Sequence, residues 1–195
     1  MTICVLRPTL ARLKLMAILS VVLAGCSADS DRPVRAPEPA QPIDVARFYT
    51  GRWYEIARTP MKLTDGCVAG TTDFVRDEDG GLVDRDACRD GTPAGSEETF
   101  RGPITILDPG TNAKFTTRYR VFGIFHVPVT YWVLDHDADY SWFIIADPPF
   151  QNLSLFTRDP RPSHDVIGRL NTRARELGYD TNRLEYPTQF PPGAQ

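Results

Sequence analysis

From Gly51 onward the chain is a succession of short β-prone stretches separated by turn clusters. Stretches rich in β-branched and aromatic residues recur at intervals of roughly 8–12 residues, a spacing typical of an antiparallel sandwich or barrel. The segments between them, such as DEDGG at 77–81 and DPGTN at 108–112, have the composition of turns. We predict eight strands, at 51–58, 67–76, 81–88, 98–107, 113–122, 129–135, 141–147 and 152–157.

The placement of apolar residues indicates which strands are covered. Residues 113–120 alternate between an aromatic or Thr face and a basic or Thr face, which indicates that one face lies in water. YWVL at 131–134 and WFII at 142–145 are apolar on both faces and have to be covered on both sides. The pattern predicts an all-β fold, an eight-stranded up-and-down antiparallel barrel with a small internal cavity.

One C-terminal helix is predicted outside this barrel. Over residues 163–177 the apolar period changes to that of an amphipathic helix. Ser163 is placed to cap its start and Gly178 to end it. Gly168 in its interior costs about 1 kcal/mol relative to Ala. We expect this helix to cover the strands that are apolar on both faces.

Cys67 and Cys88 flank a predicted hairpin. Their midpoint is position 77.5 and the turn 77–81 is centred on 79, so a bulge of about one residue places them nearly opposite each other. A cross-strand disulfide is the product expected in an oxidising compartment. Two unpaired buried thiols are the alternative.

The first 25 residues have the features of an export signal. A basic region without acids precedes the apolar run 15–23, which is nine residues long, whereas a membrane-spanning helix needs about 20. The sequence Leu23-Ala24-Gly25-Cys26 resembles the lipobox of bacterial lipoproteins, which implies cleavage before Cys26 and acylation of that cysteine. A secretory signal with a chance cysteine is the alternative.

The segment after Cys26 divides the signal from the domain. Residues 27–42 are rich in Pro and charge and predict a disordered tether. The cysteine is followed by Ser27 rather than Asp, so the resemblance to bacterial lipoproteins implies export to the outer membrane, with the domain facing the periplasm. The predicted organisation is a signal peptide (1–25), a lipidated cysteine and tether (26–43), a barrel domain with its helix (44–190) and a tail (191–195).

Three short motifs resemble those of the lipocalin family across residues 44–190. Gly51 and Trp53 resemble the Gly-x-Trp signature of the first strand, Asp139-Tyr140 the second motif, with Ala138 in place of its usual Thr, and Arg158 the third. Residues 175–189 also resemble the region after the helix in bacterial and apolipoprotein-D-like members. The resemblance implies that Trp53 closes the narrow end of the barrel and that Arg158 lies across its indole, a contact of about 0.5–2 kcal/mol.

Strand alternation predicts the lining of the cavity. Glu55 lies two residues after Trp53 and shares its inward face, where a carboxylate has to be paired or protonated. It is either a buried structural acid or a contact for a ligand head group. Barrels of this size can also be filled by their own side chains. The other residues expected to point inward are Phe100, Ile104, Phe115, Thr117, Tyr119, Trp132 and Trp142.

Composition and motifs argue against several classes of function. The formal net charge is −3 without a basic stripe, so we do not expect nucleic-acid binding. The aspartates at 135–139 resemble the start of a calcium loop, but Tyr140 and Ala146 occupy positions where an EF-hand requires Gly and Glu. The histidines share no ligand spacing and no catalytic motif is present. We therefore expect no catalytic residue, cofactor or metal.

Taken together, the sequence predicts a membrane-anchored, non-enzymatic binding protein, a monomer or weak dimer. It would hold a small hydrophobic ligand, such as a fatty acid or lysophospholipid, for storage or transport in the cell envelope. One alternative is a lipid- or isoprenoid-modifying enzyme that uses Glu55. The other is an envelope interaction protein whose barrel is filled.

Overall fold

The computed structural model describes residues 34–121, 123–187 and 190. The predicted signal peptide, Cys26 and the tail 191–195 lie outside these residues, and so does the first part of the predicted tether. Within the described part, no helix is long and apolar enough to cross a bilayer.

Eight antiparallel strands form a closed barrel in which each strand pairs with the next and the eighth pairs with the first. The predicted fold class is therefore confirmed, and most strand ends lie within two residues of the prediction. The strands are β1 (Gly51–Arg58), β2 (Cys67–Arg76), β3 (Leu82–Asp90), β4 (Glu97–Ile106), β5 (Lys114–Val121), β6 (Phe125–His136), β7 (Trp142–Ala146) and β8 (Leu153–Thr157).

Strand β6 is the exception, because it begins at Phe125 rather than at the predicted residue 129. Its first half pairs with β5, including Pro128 opposite Arg118, whereas its pairing with β7 starts only at Trp132. A proline is tolerated in a part of a strand that pairs on one side, since no ladder hydrogen bond on the other side needs its N–H.

Two α-helices accompany the barrel in the part of the chain that the structure describes, besides short 3-10 turns at Lys62–Thr64 and Thr181–Arg183. The predicted C-terminal helix is confirmed as α2 (His164–Glu176), where Ser163 Oγ accepts a hydrogen bond from Val166 N and Gly178 follows the helix with φ +93°. A four-residue helix that the sequence did not predict, α1 (Val45–Phe48), precedes β1. The Asp44 carboxylate caps it by accepting hydrogen bonds from two backbone amides.

The segment before α1 lies on the barrel. Ala36 N donates to Pro148 O at 3.1 Å, and Ala40 N donates to Leu134 O at 3.0 Å. Ala36 is buried as well. The disorder predicted for residues 27–42 is therefore wrong for residues 34–42, because their few apolar side chains and their backbone amides find partners on the sheet.

Two apolar clusters lie on opposite sides of the sheet. The inner cluster is largely aromatic and fills one end of the barrel. The outer cluster lies between the sheet, α2 and residue 36. The chain therefore packs α2 over the strands that are apolar on both faces, as predicted. The inner cluster includes Phe48, Tyr49, Trp53, Phe74, Phe115, Phe143 and Phe156, and the outer one Trp132, Leu134, Ile144, Leu155, Leu170 and Ala174.

The predicted disulfide between Cys67 and Cys88 is confirmed, with Cα atoms 5.6 Å apart. The β2–β3 register shifts between Cys67 and Ala69, which is the bulge that the counting argument required. Because it closes a loop with a sequence separation of 21 residues, this crosslink contributes about 3 kcal/mol in the chain-entropy description.

Candidate functional site

The floor of the barrel is built around Trp53. Its side chain is fully buried, and its ring centroid lies 4.7 Å from that of Phe143. The Arg158 guanidinium carbon lies 3.5 Å from the centre of the Trp53 ring, and Arg158 Nη1 donates to Arg52 O at 2.7 Å. Burial lowers the pKa of Arg158 to about 10, so the guanidinium stays charged at neutral pH. This end of the barrel is closed.

The other motif residues shape the backbone near that floor. Gly51 has φ +64°, a conformation that L side chains rarely adopt. Tyr140 has φ +55°, and its hydroxyl accepts a hydrogen bond from Asp44 N at 2.8 Å. Asp139 is exposed, whereas Asp137 organises the turn by accepting from Ser141 N at 2.6 Å. Resemblance alone did not identify Asp137.

Six of the eight predicted lining residues share the inward face. Phe115 packs in the aromatic cluster of the floor, and Thr117 is fully buried above it. Ile104 pairs with Thr117 across β4 and β5. Phe100 pairs with Asp86, whose carboxylate lies 2.5 Å from the Tyr119 hydroxyl. Glu55 on β1 completes the six.

Trp132 and Trp142 do not line the interior, so this part of the prediction is wrong. Trp132 belongs to the outer cluster with Leu170, and the Lys114 ammonium lies 4.0 Å from its ring centre. Trp142 lines a groove of about 260 Å³ between α2 and the barrel. The prediction failed because β6 and β7 are apolar on both faces, so the sequence does not show which face is the inner one. A register shift between Val133 and Asp135 also interrupts the simple alternation of side chains along β6.

Glu55 is held by its neighbours. Its Oε2 accepts from Arg58 Nη1 at 2.8 Å, and its Oε1 accepts from Ser154 Oγ at 2.9 Å. Burial raises the pKa of Glu55, while the Arg58 charge opposes that shift. Arg58 is 1% exposed and also donates to Cys67 O and Glu185 Oε1. The arrangement matches the structural interpretation of Glu55 better than that of a free head-group contact.

A carboxylate pair on β3 was missed in the sequence. Asp84 Oδ2 accepts from Thr117 Oγ1 at 2.9 Å, and Asp86 Oδ1 accepts from Thr72 Oγ1 at 2.5 Å. The Tyr119 hydroxyl lies 2.9 Å from Asp84 Oδ2 and 2.5 Å from Asp86 Oδ2. The Tyr131 hydroxyl lies 3.4 Å from that of Tyr119. We call Asp84, Asp86, Tyr119 and Tyr131 the acid–tyrosine cluster.

Burial dominates the electrostatics of this cluster. Burial and the neighbouring Asp86 carboxylate raise the pKa of Asp84 well above its ordinary value. Burial raises the pKa of Asp86 too, although hydrogen bonds from Thr72 and Tyr119 oppose the shift. Burial, and after it the charges of the same two carboxylates, raise the pKa of Tyr119 well above its ordinary value. The acid–tyrosine cluster therefore makes the interior above the floor acidic.

Solvent nevertheless reaches part of the interior. Phe100, Ile104, Tyr131 and Asp86 are half-buried although they face inward. An inward side chain is exposed to the space that the barrel encloses. The partly exposed, inward-facing side chains above the closed floor thus include apolar, aromatic and acidic groups.

A comparison with known proteins gives the same fold. The model of the lipocalin-like domain matches residues 43–189. Insecticyanin from the tobacco hornworm Manduca sexta superposes with a TM-score of 0.61 at 18% identity, covering 80% of this chain and 86% of its own. The tryptamine complex of the amine binding protein of Rhodnius prolixus superposes with a TM-score of 0.60 at 17% identity, covering 80% and 87%. At these identities the likeness shows the shared fold alone.

Relatives of known name cover most of the chain. The outer membrane lipoprotein Blc of Vibrio cholerae is 25% identical over 89% of this chain and 96% of its own length. Temperature-induced lipocalin-1 of Arabidopsis thaliana is 28% identical over 78% of this chain and 82% of its own length. With the family match spanning the barrel, its motif residues and α2, the chain belongs to the lipocalin-like family.

Proposed function

We propose that this protein is a lipid-anchored outer-membrane protein that holds one small hydrophobic ligand inside its barrel, for storage or transport in the cell envelope. Fatty acids, lysophospholipids and similar molecules are the ligand classes that the sequence suggests. The observation that carries the proposal is the half-buried, inward-facing set Phe100, Ile104 and Tyr131 above a closed floor. Burial of an alkyl chain against such side chains contributes about 0.8 kcal/mol per CH₂.

The location is supported by the relatives and by the N-terminal sequence. The Blc proteins of Vibrio cholerae and Citrobacter freundii are named outer membrane lipoproteins and are 25% and 27% identical to this chain. Leu23-Ala24-Gly25-Cys26 supplies a matching acylation site. Several acyl chains on Cys26 give stable anchoring.

The contacts of Glu55 support a binding protein rather than an enzyme. Its two oxygens accept from Arg58 and from Ser154. A general acid or base needs to reach the reacting group of a substrate. Glu55 is instead engaged with Arg58 on its own strand and with Ser154 on β8.

Titration with decan-1-ol tests this function without depending on a charged head group. We expect saturable one-to-one binding by calorimetry and a loss of affinity of about tenfold in Phe100→Ala, because a large apolar side chain leaves the binding surface. The matched control Trp132→Phe changes an aromatic residue on the outside and is expected to bind within about twofold of the unchanged protein. Absence of saturable binding, or greater sensitivity to the Trp132 change, would favour a filled barrel instead.

A further inference from the structure

The acid–tyrosine cluster places two carboxylates inside the barrel without a cation. Asp84 is 2% exposed. The ion pairs found among the described residues involve neither Asp84 nor Asp86, and the inward-facing cation Arg58 is engaged with Glu55 and Glu185. A buried carboxylate requires compensating charge or hydrogen-bond donors. The two acids therefore depend on hydroxyl groups and on the hydrogen bond between their own side chains.

These hydroxyl groups supply too few protons. Thr117 donates to Asp84 and Thr72 donates to Asp86. The Tyr119 hydroxyl lies within hydrogen-bond distance of both carboxylates but has one proton and can donate to one of them. The Tyr131 hydroxyl is placed to donate to Tyr119 and adds nothing directly to either acid. Even with one proton shared between the two carboxyl groups, the pair keeps one negative charge, and none of the ion pairs among the described residues offsets it.

One oxygen of the pair is left without a hydrogen-bond donor. Asp84 Oδ1 is buried and, among the residues that the structure describes, has no hydrogen-bond partner. An orphaned carboxylate oxygen in a closed interior is costly, so such an atom points to a group that the site is built to receive. From these contacts we propose that the barrel binds a ligand bearing a protonated primary amine, which Asp84 and Asp86 hold.

A primary ammonium matches the deficit in both charge and donors. It brings one positive charge, which offsets the charge left on the pair, and three N–H donors, which the half-buried Asp86 carboxylate is exposed to accept. Phe100 and Ile104 are half-buried on the neighbouring strand and would pack against the apolar body of the ligand. A carboxylate head group would meet two acids instead, so the cluster disfavours a free fatty acid in this orientation. The inference rests on the proposed function and narrows its ligand class.

A divalent metal is a poorer match. No group of three or more His, Cys, Asp or Glu side chains able to hold a metal occurs in the described part of the chain. Calcium takes six to eight oxygen ligands, whereas the pair has four carboxylate oxygens, three of which already accept hydrogen bonds. The organic cation needs only these two acids.

The test compares three ten-carbon probes that differ in the head group: decylamine, decan-1-ol and decanoate. Calorimetric titration of the full-length chain at pH 7 is expected to show decylamine binding at least tenfold more tightly than decan-1-ol, with decanoate weaker than both. Equal or tighter binding of the alcohol or of decanoate would overturn the amine site while leaving the proposed function intact. Failure of all three probes to bind would reject the proposed function itself.

Single substitutions in the two acids test whether these residues cause the preference for the amine over the alcohol. Asp84→Asn and Asp86→Asn remove one charge each at nearly constant volume, and each is expected to reduce the ratio of amine to alcohol affinity at least tenfold. Asp73→Asn is the matched control, because Asp73 lies on the outside of the adjacent strand β2 and pairs with Arg52. That ratio should stay unchanged in the control. If the ratio of amine to alcohol affinity is unchanged in both Asp84→Asn and Asp86→Asn, the acid pair does not hold the amine.

Discussion

Trp53→Ala is expected to lower the free energy of unfolding by about 3–5 kcal/mol, the usual cost of removing a buried tryptophan. The Trp53 side chain is fully buried between Phe143 and Phe48, whose ring centroids lie 4.7 Å and 5.5 Å away. The Arg158 guanidinium would also lose the ring on which it rests. Urea denaturation followed by far-ultraviolet circular dichroism measures the change.

A double-mutant cycle separates the two parts of this loss. Arg158→Ala alone is expected to cost about 0.5–2 kcal/mol if its contact with Trp53 is a cation–π interaction. In the Trp53→Ala background, Arg158→Ala should lower the free energy of unfolding by less, since the ring that Arg158 contacts is already absent. Trp53→Phe keeps an aromatic ring and is the control. Equal costs of Arg158→Ala in both backgrounds would show that the stacked geometry carries no coupling energy.

Arg58→Ala is expected to destabilise the protein by about 3–5 kcal/mol, the range observed when one partner of a buried ion pair is removed. Arg58 is 1% exposed and donates to Glu55 Oε2, Glu185 Oε1 and Cys67 O. Its removal leaves a buried carboxylate and a buried carbonyl without a charged donor. Urea denaturation at pH 7 gives the size of the loss.

The loss should depend on pH in a defined direction. Burial already raises the pKa of Glu55, and removal of the opposing Arg58 charge raises it further. A carboxyl that binds its proton more tightly in the folded state loses stability as pH rises above its unfolded pKa, which is about 4.3. Arg58→Ala is therefore expected to cost less near pH 4.5 than at pH 7. The control Glu55→Gln with Arg58→Ala removes the titrating group and should abolish that difference. A cost independent of pH in Arg58→Ala itself would contradict the assigned pair.

Strand and helix positions were predictable because the local patterns agree with the tertiary packing. Alternation in 113–120, turn clusters between strands and the apolar stripe of 163–177 all point to the same fold. Ser163 and Gly178 carry local signals that packing does not override. The conformation of residues 34–42 was not predictable in the same way, since it depends on partners such as Pro148 and Leu134, which are distant in sequence.

The interior was predictable only in part. Strand alternation correctly predicted that Phe100 faces inward, and the β3–β4 register places Asp86 directly opposite it. That register was the signal that could have revealed the acid pair, but charged residues in a strand are usually on the wet face. Trp132 and Trp142 were misplaced because alternation does not distinguish the interior from the outer face beneath α2 when both are apolar.

The most direct test of the account is to locate a bound ligand on the protein. Backbone amide shifts of the isotopically labelled full-length chain would be followed by NMR during titration with decan-1-ol. We expect saturation at one equivalent, with the largest shifts at Asp86, Phe100 and Tyr131 and little change at Leu170 beside the outer groove. Shifts concentrated at Leu170 and Trp142, or none that saturate, would contradict a ligand site inside the barrel.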